Sequence, residues 1–223
     1  METKPRTILT YATNERNLPY IEWLKNLHEN IRAIIRKRVA RLGLGDFGDS
    51  KYLEEGVHEL RIHIGAGYRV YYGLDGQDIV LLLSGGKNRR KIRIFKKQRS
   101  IGMITKKENY PPAVPYEDLL IESFRKNPDE AILYLRSCME DNDPPLFLLA
   151  LSQVSKALGG IAKVAEKTGL NREHLYKTLS KSGNPTWTNV NAVVNSLGFQ
   201  FELKPIPSPR KKSIRKRANV KSR

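Results

Sequence analysis

Apolar residues recur at three- and four-residue intervals from Pro19 to Arg41: Ile21, Leu24, Leu27, Ile31, Ile34, Ile35 and Val39. That spacing marks one face of a helix. Lys25, Arg32, Arg36, Lys37 and Arg38 lie between them. One long helix fits the pattern, and so do two antiparallel helices broken near His28–Asn30. Gly43, Gly45 and Gly48 end the helical stretch. From Tyr52 the period changes to two. Val57 to Ile64 alternates apolar and polar residues, Gly65-Ala66-Gly67 makes a turn, and Tyr68 to Tyr72 alternates again. Asp75-Gly76 is a hairpin signal. Asp78 to Leu83 is then a nearly continuous apolar run, the pattern of a central strand buried on both faces. Helices followed by three sequential strands predict an α+β fold with an antiparallel sheet.

The second half reads as all helix. Pro111, Pro112 and Pro115 disfavour helix before them and mark a linker at 103–115. Tyr116 to Arg125 is one helix. Asn127-Pro128-Asp129-Glu130 opens another, with Asn127 as N-cap, Pro128 at the first helical position and acids in the first turn. Ile132, Leu133, Leu135 and Met139 supply its expected apolar face. Asp143-Pro144-Pro145 opens a third, carrying Leu146 to Leu158 and ending at Gly159-Gly160. Trp187 with Asn184-Pro185 reads as core and turn. Phe199 to Leu203 alternates as a short terminal strand would, able to pair across a dimer or onto a sheet edge.

Charge sharpens this division. The chain of 223 residues carries a formal net charge of +17. Residues 1–105 hold +9, residues 106–205 are neutral and residues 206–223 hold +8. Residues 87–107 contain ten Lys and Arg and no acid. Basic blocks of this kind favour polyanions. The tail is expected to be disordered, adding non-specific affinity for DNA or RNA. Met1 to Tyr11 lacks an apolar core, so no signal peptide is expected, and no apolar run approaches the ~18 residues of a membrane span. The single cysteine, Cys138, excludes an internal disulfide and a zinc cluster, and fits a reducing cytoplasm. No metal and no cofactor are expected.

Two constellations carry candidate chemistry. In the first, Ile161, Val164 and Ala165 face inward on a short helix, Thr168-Gly169-Leu170-Asn171 turns, and Leu175 and Leu179 anchor a second helix. This is the spacing of a helix-turn-helix, whose second helix enters the DNA major groove. Asn171 is placed as its N-cap. Arg172, Glu173, His174, Tyr176 and Lys177 would be exposed near its start, with Lys181 just beyond. Arg172 and Lys177 can reach phosphates or guanine edges. An ordinary helical hairpin has the same pattern. The segments Leu158-Gly159-Gly160, Ala165 to Leu170, Arg172-Glu173, Leu175 to Ser180 and Gly183-Asn184-Pro185, with Ser196-Leu197-Gly198 after them, resemble the antidote proteins of HigA-like addiction modules. That resemblance covers Tyr116 to Pro205. It implies operator binding as a dimer and neutralisation of a toxin.

In the second constellation, Arg61 and Arg69 alternate off a sheet, and Lys87, Arg89, Arg90 and Arg93 follow its last strand. From charge alone this is a phosphate-binding surface, a solvated face or a docking surface for an acidic partner. Trp23-Leu24, Leu42 to Asp49, Glu55 to Arg61, Gly65-Ala66-Gly67-Tyr68-Arg69-Val70-Tyr71 and Leu81 to Lys87 resemble the RelE/ParE superfamily, in its HigB-like, phage-derived killer group. The resemblance covers residues 8–100. It implies metal-independent mRNA cleavage, commonly on the ribosome, by attack of a ribose 2′-oxygen on its own phosphate. Arg61 and Arg69 are then expected on the phosphate, with Lys87 and Arg90 as charge stabilisers or proton donors. Tyr71 and His63 are secondary candidates for stacking or proton transfer. The sequence departs from the family after Gly86, where the usual acids are missing and Arg93 stands in place of one. The final toxin helix, Phe95 to Arg99, runs directly into the linker.

The expected organisation is a RelE-like toxin domain at 1–102, the linker at 103–115, a helix-turn-helix antitoxin domain at 116–205 and a basic tail at 206–223. The toxin and antitoxin parts would touch within a chain or across a homodimer. Two other readings stay open: a DNA-binding repressor in which the toxin fold survives only as a scaffold, and a ParE-like, gyrase-directed toxin.

Overall fold

The computed structural model describes residues 4–54, 56–87, 112–180, 182–203 and 205. Strand β1 (Thr7–Tyr11) precedes helices α1 (Pro19–Lys25) and α2 (Glu29–Gly43). Then come β2 (Ser50–Glu54), β3 (Val57–Ile62), β4 (Tyr68–Asp75) and β5 (Ile79–Lys87). After residues 88–111 the chain re-enters as β6 (Ala113–Pro115). The second half forms α3 (Tyr116–Lys126), α4 (Pro128–Met139), α5 (Pro144–Ala157), α6 (Gly160–Thr168), α7 (Arg172–Thr178) and α8 (Trp187–Ser196). The fold is α+β, as the periodicities imply. No single helix among the described residues is long and apolar enough to cross a membrane.

The sheet has six strands in the order β2-β3-β4-β5-β1-β6. The expected meander β3-β4-β5 is present, with antiparallel registers placing Arg61 opposite Arg69 and Tyr71 opposite Ser84. The sheet is nevertheless mixed rather than antiparallel. β1 runs parallel to β5, pairing Leu9 with Leu81, and antiparallel to β6, pairing Thr10 with Val114. Five residues, TILTY, are too few to show a period, so β1 was invisible to pattern reading. A parallel pair also needs a long crossover, which α1 and α2 begin. β6 comprises the last residues of the expected linker, 103–115, and occupies the sheet edge.

The helical stretch divides, with α1 ending at Lys25 and α2 starting at Glu29. The Trp23 ring of α1 packs directly over Gly85, where an added Cβ would collide with it. Glycine at 85 is what lets α1 approach β5. β5 is buried on both faces from Val80 to Leu83, as its continuous apolar run predicts.

One hydrophobic cluster unites both halves. Tyr20, Ile35, Val39, Leu42, Val70 and Leu82 from the first join Tyr116, Phe124, Tyr134, Leu146 and Leu151 from the second. Tyr20 meets Tyr116 edge-on at 5.8 Å between ring centres. A smaller cluster of Val57, Tyr71, Leu81 and Leu83 sits on the opposite sheet face.

Three local expectations are corrected. The inward face of α4 is Ala131, Tyr134, Leu135 and Cys138, while Ile132 and Met139 are exposed. The stripe is therefore rotated from the one the largest apolar side chains suggest. Trp187, expected in the core, is 66% exposed at the start of α8, its ring tilted against Phe201 at 4.8 Å between centres. Phe199 to Leu203 is not a strand. The Phe199 N–H donates back to the Val194 carbonyl, so the chain turns across the end of α8 instead of extending.

Candidate functional site

The inward stripe of α4 begins with an acid. Glu130, Tyr134 and Cys138 follow one another at four-residue spacing, and Asp141 continues the line past the helix end. All lie toward α2, whose inner flank carries Arg32, Arg36, Lys37 and Arg41. Glu130 receives Arg32 on Oε1 and Arg36 on Oε2, the latter at 2.6 Å. Ser123 of α3 joins both groups: it accepts from Arg36 at 2.9 Å and donates to Glu130 at 3.0 Å. Asp141 receives Lys37 on Oδ1 at 2.8 Å and Arg41 on Oδ2 at 3.0 Å. Asp143 lies 3.5 Å from Arg41 and also caps α5, accepting from the Leu146 N–H. The Arg36 guanidinium sits 5.1 Å over the Phe124 ring.

This seam is largely out of water. The Arg36 and Lys37 side chains are 6% and 10% exposed and Glu130 is 9%. Such burial costs several kcal/mol per ion unless each charge is matched and hydrogen-bonded. Here they are matched. Burial pushes the Glu130 and Asp141 carboxyls upward, but Arg36 and Arg32 on the first, and Lys37 and Arg41 on the second, hold both below the usual carboxylate range. Sequence reading misses the seam because Glu130 reads as a first-turn acid answering the helix dipole. The available signal was the basic flank of α2 set beside acids concentrated at 129–143.

A second charged cluster lies on the other face of the sheet. Arg61 and Arg69, expected together, are brought side by side by the β3–β4 register. Two cations there would repel, and Glu59, fully buried, stands between them. Its Oε1 is 2.9 Å from the Arg61 Nε and 3.4 Å from the Arg69 Nε. Arg69 also donates to the Tyr68 carbonyl at 3.0 Å. Asp49 contacts His63 at 2.6 Å and Arg61 at 3.8 Å. The His63 bond, above all, lowers the Asp49 carboxyl. Tyr71 flanks the cluster, and burial together with the Glu59 charge pushes its phenol up to about 12. Lys87 is opposite Tyr68, one residue out of phase with Arg69. By strand alternation its Cβ leaves from the other face, so the register separates Lys87 from the two arginines. Arg90, Arg93 and the Phe95 to Arg99 helix lie outside the described residues, as do Lys181 and the tail.

The α6–α7 pair has the buried and exposed positions that its spacing predicts. Ile161, Val164, Ala165, Leu175 and Leu179 are buried. Gly169 ends α6 with φ of 69°, the left-handed conformation glycine adopts without steric cost. Asn171 caps α7, accepting from the Glu173 N–H at 2.8 Å and the His174 N–H at 3.2 Å. Arg172, His174, Tyr176 and Lys177 are all exposed on its outer side. The Arg172 guanidinium lies 5.9 Å from the Tyr176 ring centre. Among the described residues no group of His, Cys, Asp and Glu is arranged to hold a metal ion.

Residues 120–205, from within α3 to just past the Trp187–Phe201 contact, match the model of a family described as "Probable addiction module antidote protein". Two proteins of Haemophilus influenzae, each described only as an uncharacterized protein, are similar to the chain. One is 36% identical over 75 residues, covering 34% of this chain and 76% of the relative. The other is 45% identical over 71 residues, covering 31% of this chain and 71% of the relative. No solved structure matches. Through the segment that supplies Glu130, Asp141, Asp143 and the α6–α7 pair, the chain belongs to the family of probable addiction module antidote proteins.

Proposed function

We propose that the chain is a toxin and its antitoxin in one polypeptide, the antitoxin half, 116–205, neutralising the toxin half, 1–102. The observation that carries this reading is the seam. Four cations of α2 are matched by Glu130, Asp141 and Asp143, all supplied by the antidote-family segment. An antitoxin that must recognise a basic toxin needs such acids, buried and oriented, on the face it presents. Covalent linkage raises their effective concentration, to about millimolar for a short flexible tether, so the pairing is held without any demand on affinity.

The toxin half is a RelE-like, metal-independent endoribonuclease acting on mRNA, in the cytoplasm and on the ribosome. Arg61 and Arg69 are the phosphate-binding pair, Arg90 supplies further charge or a proton, and Lys87, which leaves the sheet from the other face, adds only to the positive field. The antitoxin half binds operator DNA as a homodimer through α7, with Asn171 fixing its start and Arg172, His174, Tyr176, Lys177 and Lys181 facing the groove, and so represses its own transcription.

Expression of residues 1–105 alone tests the nuclease. It should arrest growth and cut RNA, while the full chain does neither. If the isolated half is folded by circular dichroism and leaves growth and RNA untouched, the nuclease assignment fails. A gel shift of the full chain on its upstream DNA, lost on Arg172→Ala with Lys177→Ala, tests the operator reading.

A second reading has its own observation. Glu59 already neutralises Arg61 and Arg69 from inside the sheet, and Arg69 is only 7% exposed. That suits a DNA-binding repressor in which the toxin fold is a scaffold. Arg61→Ala with Arg69→Ala in residues 1–105 separates the two, because a scaffold has no toxicity to lose.

A further inference from the structure

The two central carboxylates of the seam are held in the same way. Glu130 takes Arg32 on one oxygen and Arg36 on the other. Asp141 takes Lys37 on one oxygen and Arg41 on the other. A phosphodiester presents a similar target, two non-bridging oxygens sharing one negative charge, and paired cations are how proteins commonly grip it. The four cations span nine positions of α2, about 13 Å at the helical rise, enough for more than one phosphate of a strand. Stability alone does not call for such a row. Buried ion pairs are often replaced by apolar side chains with no loss, and the seam borders an apolar core already built from Tyr20, Tyr116 and Phe124. The matching acids are concentrated too: residues 129–143 hold five acids and one base, whereas bases outnumber acids in the rest of 106–205.

We propose that the cationic row of α2 is a binding surface for the phosphate backbone of single-stranded RNA, and that Glu130 and Asp141 occupy it as phosphate mimics. The second half then inhibits by competing with substrate for Arg32, Arg36, Lys37 and Arg41, not by touching Arg61 and Arg69 on the far side of the sheet. The inference rests on the reading of the first half as RNA-directed, and adds where the RNA lies and how it is excluded.

The test uses the full chain carrying Glu130→Gln, Asp141→Asn and Asp143→Asn, which keep shape and remove charge. Binding of a fluorescein-labelled single-stranded RNA oligonucleotide is followed by anisotropy over a salt series. The triple variant should bind about tenfold or more tighter than wild type, and its log-log salt slope should steepen by about 0.7 for each phosphate newly engaged. Adding Arg32→Gln, Arg36→Gln, Lys37→Gln and Arg41→Gln should abolish the gain. The basic tail and α7 are common to all three proteins and cancel in the comparison. No tightening in a folded triple variant, tightening that survives loss of the four cations, or a gain for duplex DNA without one for RNA would each overturn the proposal. Should the triple variant not fold by circular dichroism, Glu130→Gln and Asp141→Asn are measured singly, and the proposal fails if neither tightens RNA binding. Because the readout is binding, an absent gain beside intact RNA cleavage by residues 1–105 sinks the mimicry alone. A gain without cleavage sinks the nuclease alone.

Discussion

Two sets of arginines on the first half differ in who neutralises them. Arg61 and Arg69 are answered by Glu59, two residues from one and across the register from the other. Arg32, Arg36, Lys37 and Arg41 are answered chiefly by Glu130, Asp141 and Asp143, about a hundred residues away. Arg41 alone has a local acid as well, Asp46 at 2.8 Å. The first cluster is complete within its own sheet. The second exists only while they are together. A charge set balanced locally belongs to a fold, whereas one balanced at long range marks an interface.

The largest way to break that contrast is to empty the seam. Glu130→Ala leaves Arg36 buried without its acid, which should cost about 3–5 kcal/mol, read as a fall in the urea midpoint. Replacing both partners, Arg36→Met with Glu130→Met, should recover most of the loss, because no buried charge is then left unmatched. If the double variant is as unstable as the single, packing rather than charge holds the seam. Acid offers a second handle. The Glu130 and Asp141 carboxyls are lowered in the folded chain, so their contribution is present above the ordinary carboxylate pKa of about 4 and lost as pH falls through the folded values. Urea midpoints taken from neutral to acid pH should drop less steeply in Glu130→Gln with Asp141→Asn than in wild type.

A smaller effect sharpens the other side of the comparison. Glu59→Gln keeps one acceptor but removes the charge between Arg61 and Arg69, at a cost of about 2 kcal/mol. Glu59 and Glu130 share no partner, so the losses from Glu59→Gln and Glu130→Gln should add to within about 0.5 kcal/mol. Strong coupling between them would mean that the two faces of the sheet form one electrostatic unit and that the distinction is false.

The two clusters were also unequally legible. Strand alternation puts Arg61 and Arg69 on one face, and the Gly65–Gly67 turn sets the β3–β4 register, so their pairing could be read directly. The seam could not. Its register depends on how α4 rotates against α2, and the conspicuous residues, Ile132 and Met139, are the ones left in solvent. The buried stripe instead runs through Glu130, Tyr134 and Cys138, a set no hydrophobic count would choose. β1 and β6 were hidden for another reason: each is short and becomes a strand only by long-range pairing, β1 with β5 and β6, and β6 with β1. The α6–α7 pair was legible because a left-handed glycine, a side-chain cap and five apolar anchors are all local signals.

That local character sets the smallest prediction. Asn171→Ala removes the acceptor for the Glu173 and His174 N–H groups, which should cost about 1 kcal/mol. The loss should be confined to α7, with faster amide exchange there and unchanged exchange across α2 and α4. If α7 reads the operator, fraying its first turn displaces Arg172 and His174, and DNA affinity should fall while the seam stays intact. Unchanged affinity in a chain with a demonstrably frayed α7 would move recognition to another element. It would also remove from the second half the functional surface that owes nothing to contact with the first.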